Sequence, residues 1–215
     1  MNEWDTVKLF FLPYVVLNPL ARFLYPKSLP ASNSFLFFSI ASLGFLWLYK
    51  HFGFWPSLAE FGLTREKFKS SLKSGILAGL ASQAINISIS LLIVLALGAS
   101  RAMWARTERE IPLYFWGWAV FSISAVIIGP LVEELIFRGV IFEFTKYKYG
   151  RRMAIGYTTL IFAIMHGFNP VTLGQSLVSG IVFALVYERE GNLAAPVIGH
   201  SVHNLITLLL FVAFS

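Results

Sequence analysis

Runs of about twenty apolar residues recur along the chain with only short polar stretches between them, and no other feature limits its fold as much. A helix needs about 20 mostly apolar residues to cross a hydrocarbon core of roughly 30 Å. Within lipid, only helices and closed barrels satisfy their own backbone groups. Apolar runs at 9–25, 33–49, 74–98, 112–128, 153–166, 171–187 and 193–214 predict about seven crossings. Pro13, Asn18 and Arg22 weaken the first. The 215 residues are 57% apolar and 13% charged, whereas a soluble domain is roughly 45–50% apolar and about a quarter charged. A soluble globule and a disordered chain are thereby excluded. The expected fold is all-α: one integral-membrane domain over 1–215, a polytopic transmembrane bundle of about seven to eight helices. Within it, 1–111 would form N-terminal helices and 112–215 the core helices.

Charge then orients the bundle. The net charge of +6 comes from basic residues gathered between apolar runs, so they act as topology signals and no nucleic acid is expected as a partner. The stretch 50–73 holds Lys50, Arg65, Lys67, Lys69 and Lys73 against Glu60 and Glu66. It reads as a cytoplasmic interfacial loop with a short helix, which puts the N-terminus on the cytoplasmic side of the cell membrane as well. Residues 1–8 carry acids beside Lys8, and no small-residue cleavage site follows, so a signal peptide is not expected. A second cluster, Lys146, Lys148, Arg151 and Arg152, asks for the same side. Both hold if 112–144 crosses once, as a long or broken helix hinged near Gly129-Pro130 or as a span plus a re-entrant piece. The acidic segment 131–144 then lies near the cytoplasmic face. The last three runs are joined by short links and are expected to be antiparallel neighbours. Ser82, Gln83, Asn86 and Ser88 are expected to face other helices. There is no internal repeat, which argues against an inverted-repeat transporter.

An ionisable group at the centre of a transmembrane helix costs about 2.5 to 3.5 kcal/mol on insertion scales. Glu133, Glu134, Arg138, His166 and His200 all fall within or at the ends of apolar segments, and a functional site is the default reading of such a set. On a helix Glu134 and Arg138 are four apart and share a face, so one acid is braced; Glu133 is turned about 100° away and is free. A free carboxylate in a poorly solvated place suits a general base. His200 and Asn204 also share a face, while His203 lies about 60° off their line and reads as packing. Six Trp residues read as headgroup-level anchors, and His51 as interfacial.

A carboxylate and a His can activate water while a His and an Asn donate to a developing oxyanion, a layout for peptide hydrolysis. Two His and a Glu can instead hold a divalent metal such as zinc. The spacing does not choose between them. Other layouts fail: HExxH is absent, the chain has one Asp and no Cys, and Ser179-Gly180 lacks the earlier Gly of a GxSG motif, which here is Leu177. Outside hydrolysis, the same residues could line a proton or ion path in a transporter, or bind without catalysis in an immunity or scaffold protein.

Three short motifs stand in order on separate apolar helices. The segment from Gly129 through Glu133, Glu134 and Arg138 to Gly139 resembles EExxxR, Phe162 to His166 resembles FxxxH, and His200 to Asn204 resembles HxxxN. Together they resemble the CPBP family of intramembrane proteases, which includes CAAX prenyl endopeptidases and bacteriocin-immunity proteins. The resemblance implies that Glu133 and His166 activate water, that His200 and Asn204 stabilise the oxyanion, and that Glu134 and Arg138 hold the site. It also implies a site opening to the cytoplasm, membrane lipids as surroundings, and a peptide or protein substrate, lipidated in the CAAX branch. Members are commonly called metalloproteases, which leaves the metal question where the residues left it.

Overall fold

In the computed structural model, residues 59, 61–97, 115–168 and 170–214 are described, with isolated positions at 44 and 47. The expected crossings at 9–25 and 33–49, the loop 101–110, the terminus and His51 lie outside them. Every regular element among the described residues is helical. They are α1 (Arg65–Leu97), α2 (Phe115–Ile123), a π-helical segment Ser124–Ile128, α3 (Gly129–Glu134), a second π-helical segment Leu135–Phe142, α4 (Glu143–Tyr149), α5 (Arg151–His166), α6 (Pro170–Glu190) and α7 (Ala194–Phe214).

Among the described residues four stretches are long and apolar enough to cross a membrane: Arg65–Leu92, Gly117–Tyr149, Pro170–Glu190 and Ala194–Ala213. Large apolar side chains such as Leu92, Leu95, Ile127, Leu160 and Leu209 point outward, as a surface in contact with lipid tails requires. The apolar run at 153–166 behaves differently from its expectation. It forms the 16-residue α5, which at 1.5 Å per residue is about 24 Å long and short of the core thickness. The basic stretch differs too. Residues 65–73 are not a loop with a separate short helix but the opening turns of α1, since nothing between Arg65 and Ser74 breaks a helix.

Of the forms expected for a single crossing of 112–144, the structure shows the long helix over its described part, and Gly129-Pro130 does not end it. From Phe115 to Tyr149 the backbone is helical throughout. Pro130 has no N–H to give to the preceding turn and its ring crowds the carbonyl there. The turn before it is widened to the π form at Ser124–Ile128, and Pro130 then sits at the start of α3, so the helix passes the proline without ending. Gly150, at φ 82°, makes the turn from α4 to α5, a left-handed conformation that favours glycine.

α1 and α7 pack closely through small residues. Gly75 and Gly79 face Ala195, Ile198, Gly199 and Val202; a Cβ at Gly75 would meet the Ile198 Cβ at 2.7 Å, and one at Gly79 would overlap the Gly199 carbonyl oxygen. This is a small-xxx-small contact, which lets helix backbones approach in a membrane. Gly79→Val is expected to destabilise the protein by about 1–3 kcal/mol through overpacking, read as a lower thermal unfolding midpoint in detergent, whereas Ala81→Val on the exposed face of α1 leaves it unchanged.

Polar side chains on α1 reinforce the contact. Ser82 Oγ donates to Ser179 Oγ at 3.0 Å and lies 3.1 Å from His203 Nδ1; Asn86 Nδ2 donates to Ser179 Oγ at 3.1 Å, and Thr207 Oγ1 to Gln83 Oε1 at 3.1 Å. Ser88 is the exception to the expectation. It is exposed and its hydroxyl donates to the Ala84 carbonyl one turn back at 2.9 Å.

The helix starts and ends also sort the charges. Ser71 Oγ on α1 donates to Asn192 Oδ1 before α7 at 3.2 Å, Lys146 Nζ meets Glu188 at 2.9 Å, and Arg151 meets Glu188 at 3.5 Å. The start of α1, the α4–α5 turn and the end of α6 therefore lie at one end of the bundle. Every described Lys and Arg except Arg138 is at that basic end.

Candidate active site

Two layers of side chains meet where α3 and the second π segment cross α5, α6 and α7. The inner layer is an ion pair. Arg138 Nη1 and Glu134 Oε1 are 3.0 Å apart and both side chains have no exposed surface. Arg138 Nη2 donates to the Gly180 carbonyl on α6 at 3.0 Å. The guanidinium carbon lies 5.0 Å from the Phe162 ring centre and 5.8 Å from that of Phe183. Arg is suited to this: its planar fork serves two acceptors while its faces stack on aromatic rings. Around it pack Val132, Ile136, Phe137, Ile141 and Phe162.

The outer layer is built on that pair. His200 Nδ1 is 2.8 Å from Glu134 Oε1, and His166 Nδ1 is 2.7 Å from the carbonyl oxygen of Phe162. Both partners accept only, so Nδ1 carries a proton in each ring. In the neutral ring Nε2 then presents a lone pair. Both Nε2 atoms face the same atom, Glu133 Oε2, each at 3.8 Å. Glu133 Oε2 is buried and has no hydrogen-bond partner. Three acceptors thus surround one spot too wide for direct hydrogen bonds, and a species with hydrogens to give, such as water, satisfies them.

Aromatic rings hold the imidazoles in place. Phe183 stacks on His200, with centres 5.0 Å apart and an interplanar angle of 22°; Phe162 lies 4.3 Å from His166 and 5.9 Å from His200. Asn204 sits one turn beyond His200, but its Nδ2 donates to the Ala125 carbonyl of the first π segment at 2.8 Å. One amide hydrogen is therefore taken up by backbone and one is left.

All six motif residues are thus in one region, and Glu133, His166 and His200 converge on one atom. Three contributors had no sequence signal. Phe183 and the Gly180 carbonyl come from α6, which carries no motif; the Ala125 carbonyl is set by packing across the bundle. Gly180 is where α5 and α6 approach, since a Cβ there would be 3.1 Å from Thr159. As for metal, two imidazoles and a carboxylate are donors of the kind zinc takes. Among the described residues, however, no group of three or more His, Asp or Glu side chains is placed so as to hold a metal ion.

The fold and this centre define a helical membrane protein with a glutamate, two histidines and a buried ion pair at its core. Residues 115–206 match the family described as Type II CAAX prenyl endopeptidase Rce1-like. The chain is 39% identical over 105 residues to the membrane-embedded CAAX protease MroQ of Staphylococcus aureus, a match covering 45% of this chain and 38% of that protein. It is 30% identical over 82 residues to an uncharacterized 24.3 kDa protein of Escherichia coli, covering 36% of this chain and 38% of that one. The matches span less than two fifths of the length of either relative. No solved structure matches. Residues 115–206 are thus similar to membrane-embedded CAAX-type proteases.

Proposed function

We propose that the chain is an intramembrane endopeptidase in which Glu133 and His166 activate a water for attack on a peptide carbonyl. The observation that carries this reading is the partnerless Glu133 Oε2 facing two histidine Nε2 atoms at 3.8 Å. A water seated there gives one proton towards Glu133 and another towards His166, leaving its oxygen lone pair for the substrate carbon. As the new C–O bond forms, Glu133 takes the proton. The remaining Asn204 amide hydrogen and His200 Nε2, when that nitrogen carries a proton, donate to the oxyanion. Glu133 then passes its proton to the leaving nitrogen as the C–N bond breaks, giving a carboxylate and an amine. Glu134 keeps His200 oriented through Nδ1, and Arg138 keeps Glu134 in place.

The substrate of this reading is a peptide or protein segment. The four apolar helices among the described residues support a multi-pass place in the cell membrane; in this reading the basic end lies in the cytoplasm, and the charge pattern of the sequence puts the N-terminus on the cytoplasmic side as well. The test is cleavage of a peptide library by purified protein in detergent. Wild type cleaves, and His166→Ala and His200→Ala each lose at least about 100-fold in kcat/KM while eluting as folded protein. A wild type that cleaves nothing, with its cellular phenotype unchanged by both substitutions, refutes the proposal. Ion or solute uptake into proteoliposomes that the same substitutions abolish would favour a transporter instead.

A further inference from the structure

We propose that a cavity at the basic end of the bundle binds the headgroup of an ethanolamine phospholipid, with the ammonium against Glu143 and the Tyr187 hydroxyl and the phosphate against Lys146. The cavity lies apart from the Glu133, His166 and His200 centre, and its ligand does not depend on the endopeptidase reading.

The cavity measures about 480 Å³ and is lined by Phe61, Glu143, Lys146, Tyr187 and Glu188, with Gly139 and Gly191 at its walls. Small-molecule sites are roughly 300–1,000 Å³. None of Glu133, Glu134, His166 or His200 borders it. Its walls come from the second π segment and α4 on one side, and from the end of α6 and the turn into α7 on the other. Gly139 lets Phe61 close against the π segment, since a Cβ there would lie 2.9 Å from the ring. Gly191 makes the turn out of α6 at φ 62°, a conformation that favours glycine.

The charges around the cavity are separated. Glu188 is 14% exposed and meets two cations, Lys146 at 2.9 Å and Arg151 at 3.5 Å. One carboxylate between two cations leaves that side positive. Glu143 is one turn before Lys146 on α4, yet Lys146 turns to Glu188, and Glu143 has no ion pair among the described residues. Across the cavity the Tyr187 hydroxyl interacts with its carboxylate. That side is negative and offers oxygen acceptors. A primary ammonium brings three N–H donors to such acceptors, and a phosphate joined to it by a short link reaches the positive side. A choline group carries methyls in place of those hydrogens and has none to give.

Position selects a lipid as the carrier of this group. The apolar spans Gly117–Tyr149 and Pro170–Glu190 both end beside the cavity, which puts it where hydrocarbon gives way to headgroups. On α6, Ile181 and Leu185 stand two turns and one turn before Glu188 on the same face, and they are 43% and 44% exposed. They form an apolar track for an acyl chain, leading from the cavity towards the middle of the bilayer. Tyr147 and Tyr149 on α4 are exposed nearby, as aromatic side chains at headgroup level are.

The test uses the purified, delipidated full chain in detergent micelles. Dioleoyl phosphatidylethanolamine, phosphatidylcholine or phosphatidylglycerol is added at equal mole fraction. Phosphatidylethanolamine is expected to stay bound in native mass spectrometry and to raise the thermal unfolding midpoint by about 3 °C or more, while the other two do neither. Glu143→Gln is expected to weaken that binding by about tenfold or more. Its lipid-free midpoint stays at the wild-type value, because Glu143 is exposed. Arg189→Gln, at an exposed arginine outside the cavity lining, is expected to keep the wild-type preference. Equal stabilisation by all three lipids, a preference for phosphatidylglycerol, or a preference that survives Glu143→Gln overturns the proposal. Glycerophosphoethanolamine, which has the headgroup without acyl chains, separates the two sources of that group. If it binds as tightly as the lipid, the ligand is a soluble compound and the lipid assignment is overturned.

Discussion

Glu133→Gln is expected to lower kcat/KM by about 10³-fold or more while leaving the thermal unfolding midpoint close to that of wild type. The substitution keeps the shape of the side chain and removes its ability to take a proton. Little is lost structurally, because Glu133 Oε2 has no hydrogen-bond partner in the folded protein. Its new amide hydrogens would instead find the two lone pairs at Nε2 of His166 and His200, 3.8 Å away from the present oxygen. A neutral amide filling the water seat blocks it and supplies no base. Cleavage within tenfold of wild type would show that another group activates the water.

Arg138→Met is expected to destabilise the protein by about 3–5 kcal/mol, because removing one partner of a buried ion pair leaves an uncompensated charge. Glu134 would keep His200 Nδ1 as a partner but lose the guanidinium at 3.0 Å. The Gly180 carbonyl would lose its donor as well. Arg138→Lys is not expected to rescue, since one ammonium cannot reproduce a planar fork that reaches Glu134 and Gly180 while stacking on Phe162. Glu134→Gln combined with Arg138→Met should cost less than the sum of the two single changes, because the pair is in direct contact. Unfolding midpoints in detergent, measured across this cycle, check it. A loss for Arg138→Met no greater than that of an exposed arginine such as Arg152→Met would contradict the buried-pair account.

The two glutamates show how far local spacing carries. Glu134 and Arg138 are one helical turn apart, so their pairing follows from 3.6 residues per turn wherever the helix lies. The same spacing made His200 and Asn204 neighbours, but it did not show what each would bond. His200 turns to Glu134 on another helix, and Asn204 to the Ala125 carbonyl. Both partners are set by which helices pack together and by how the π turn exposes a carbonyl. Neither can be read from a run of sequence.

The same division holds for the helices. Apolar length and missing breakers made α6 and α7 legible almost to their ends, at 171–187 and 193–214 against Pro170–Glu190 and Ala194–Phe214. Pro130 left a long helix, a broken one and a re-entrant piece open, because a proline usually ends or kinks a helix; packing chose the long helix, with a π turn absorbing the proline. The basic stretch before Ser74 did mislead. Its charge marked a membrane boundary, but charge and helix boundaries need not coincide, and α1 begins at Arg65 within it.

By itself the sequence determined that this chain is helical and membrane-embedded, since apolar length and hydrogen bonding in lipid leave little choice, and it singled out six residues whose presence in apolar helices is too costly to be incidental. Tertiary structure decided what those residues face. Convergence of Glu133, His166 and His200 on one atom and the aromatic clamp from α6 both depend on contacts between segments far apart in the chain. Such contacts arise from packing and helix crossing, which the local periodicity of a sequence does not encode.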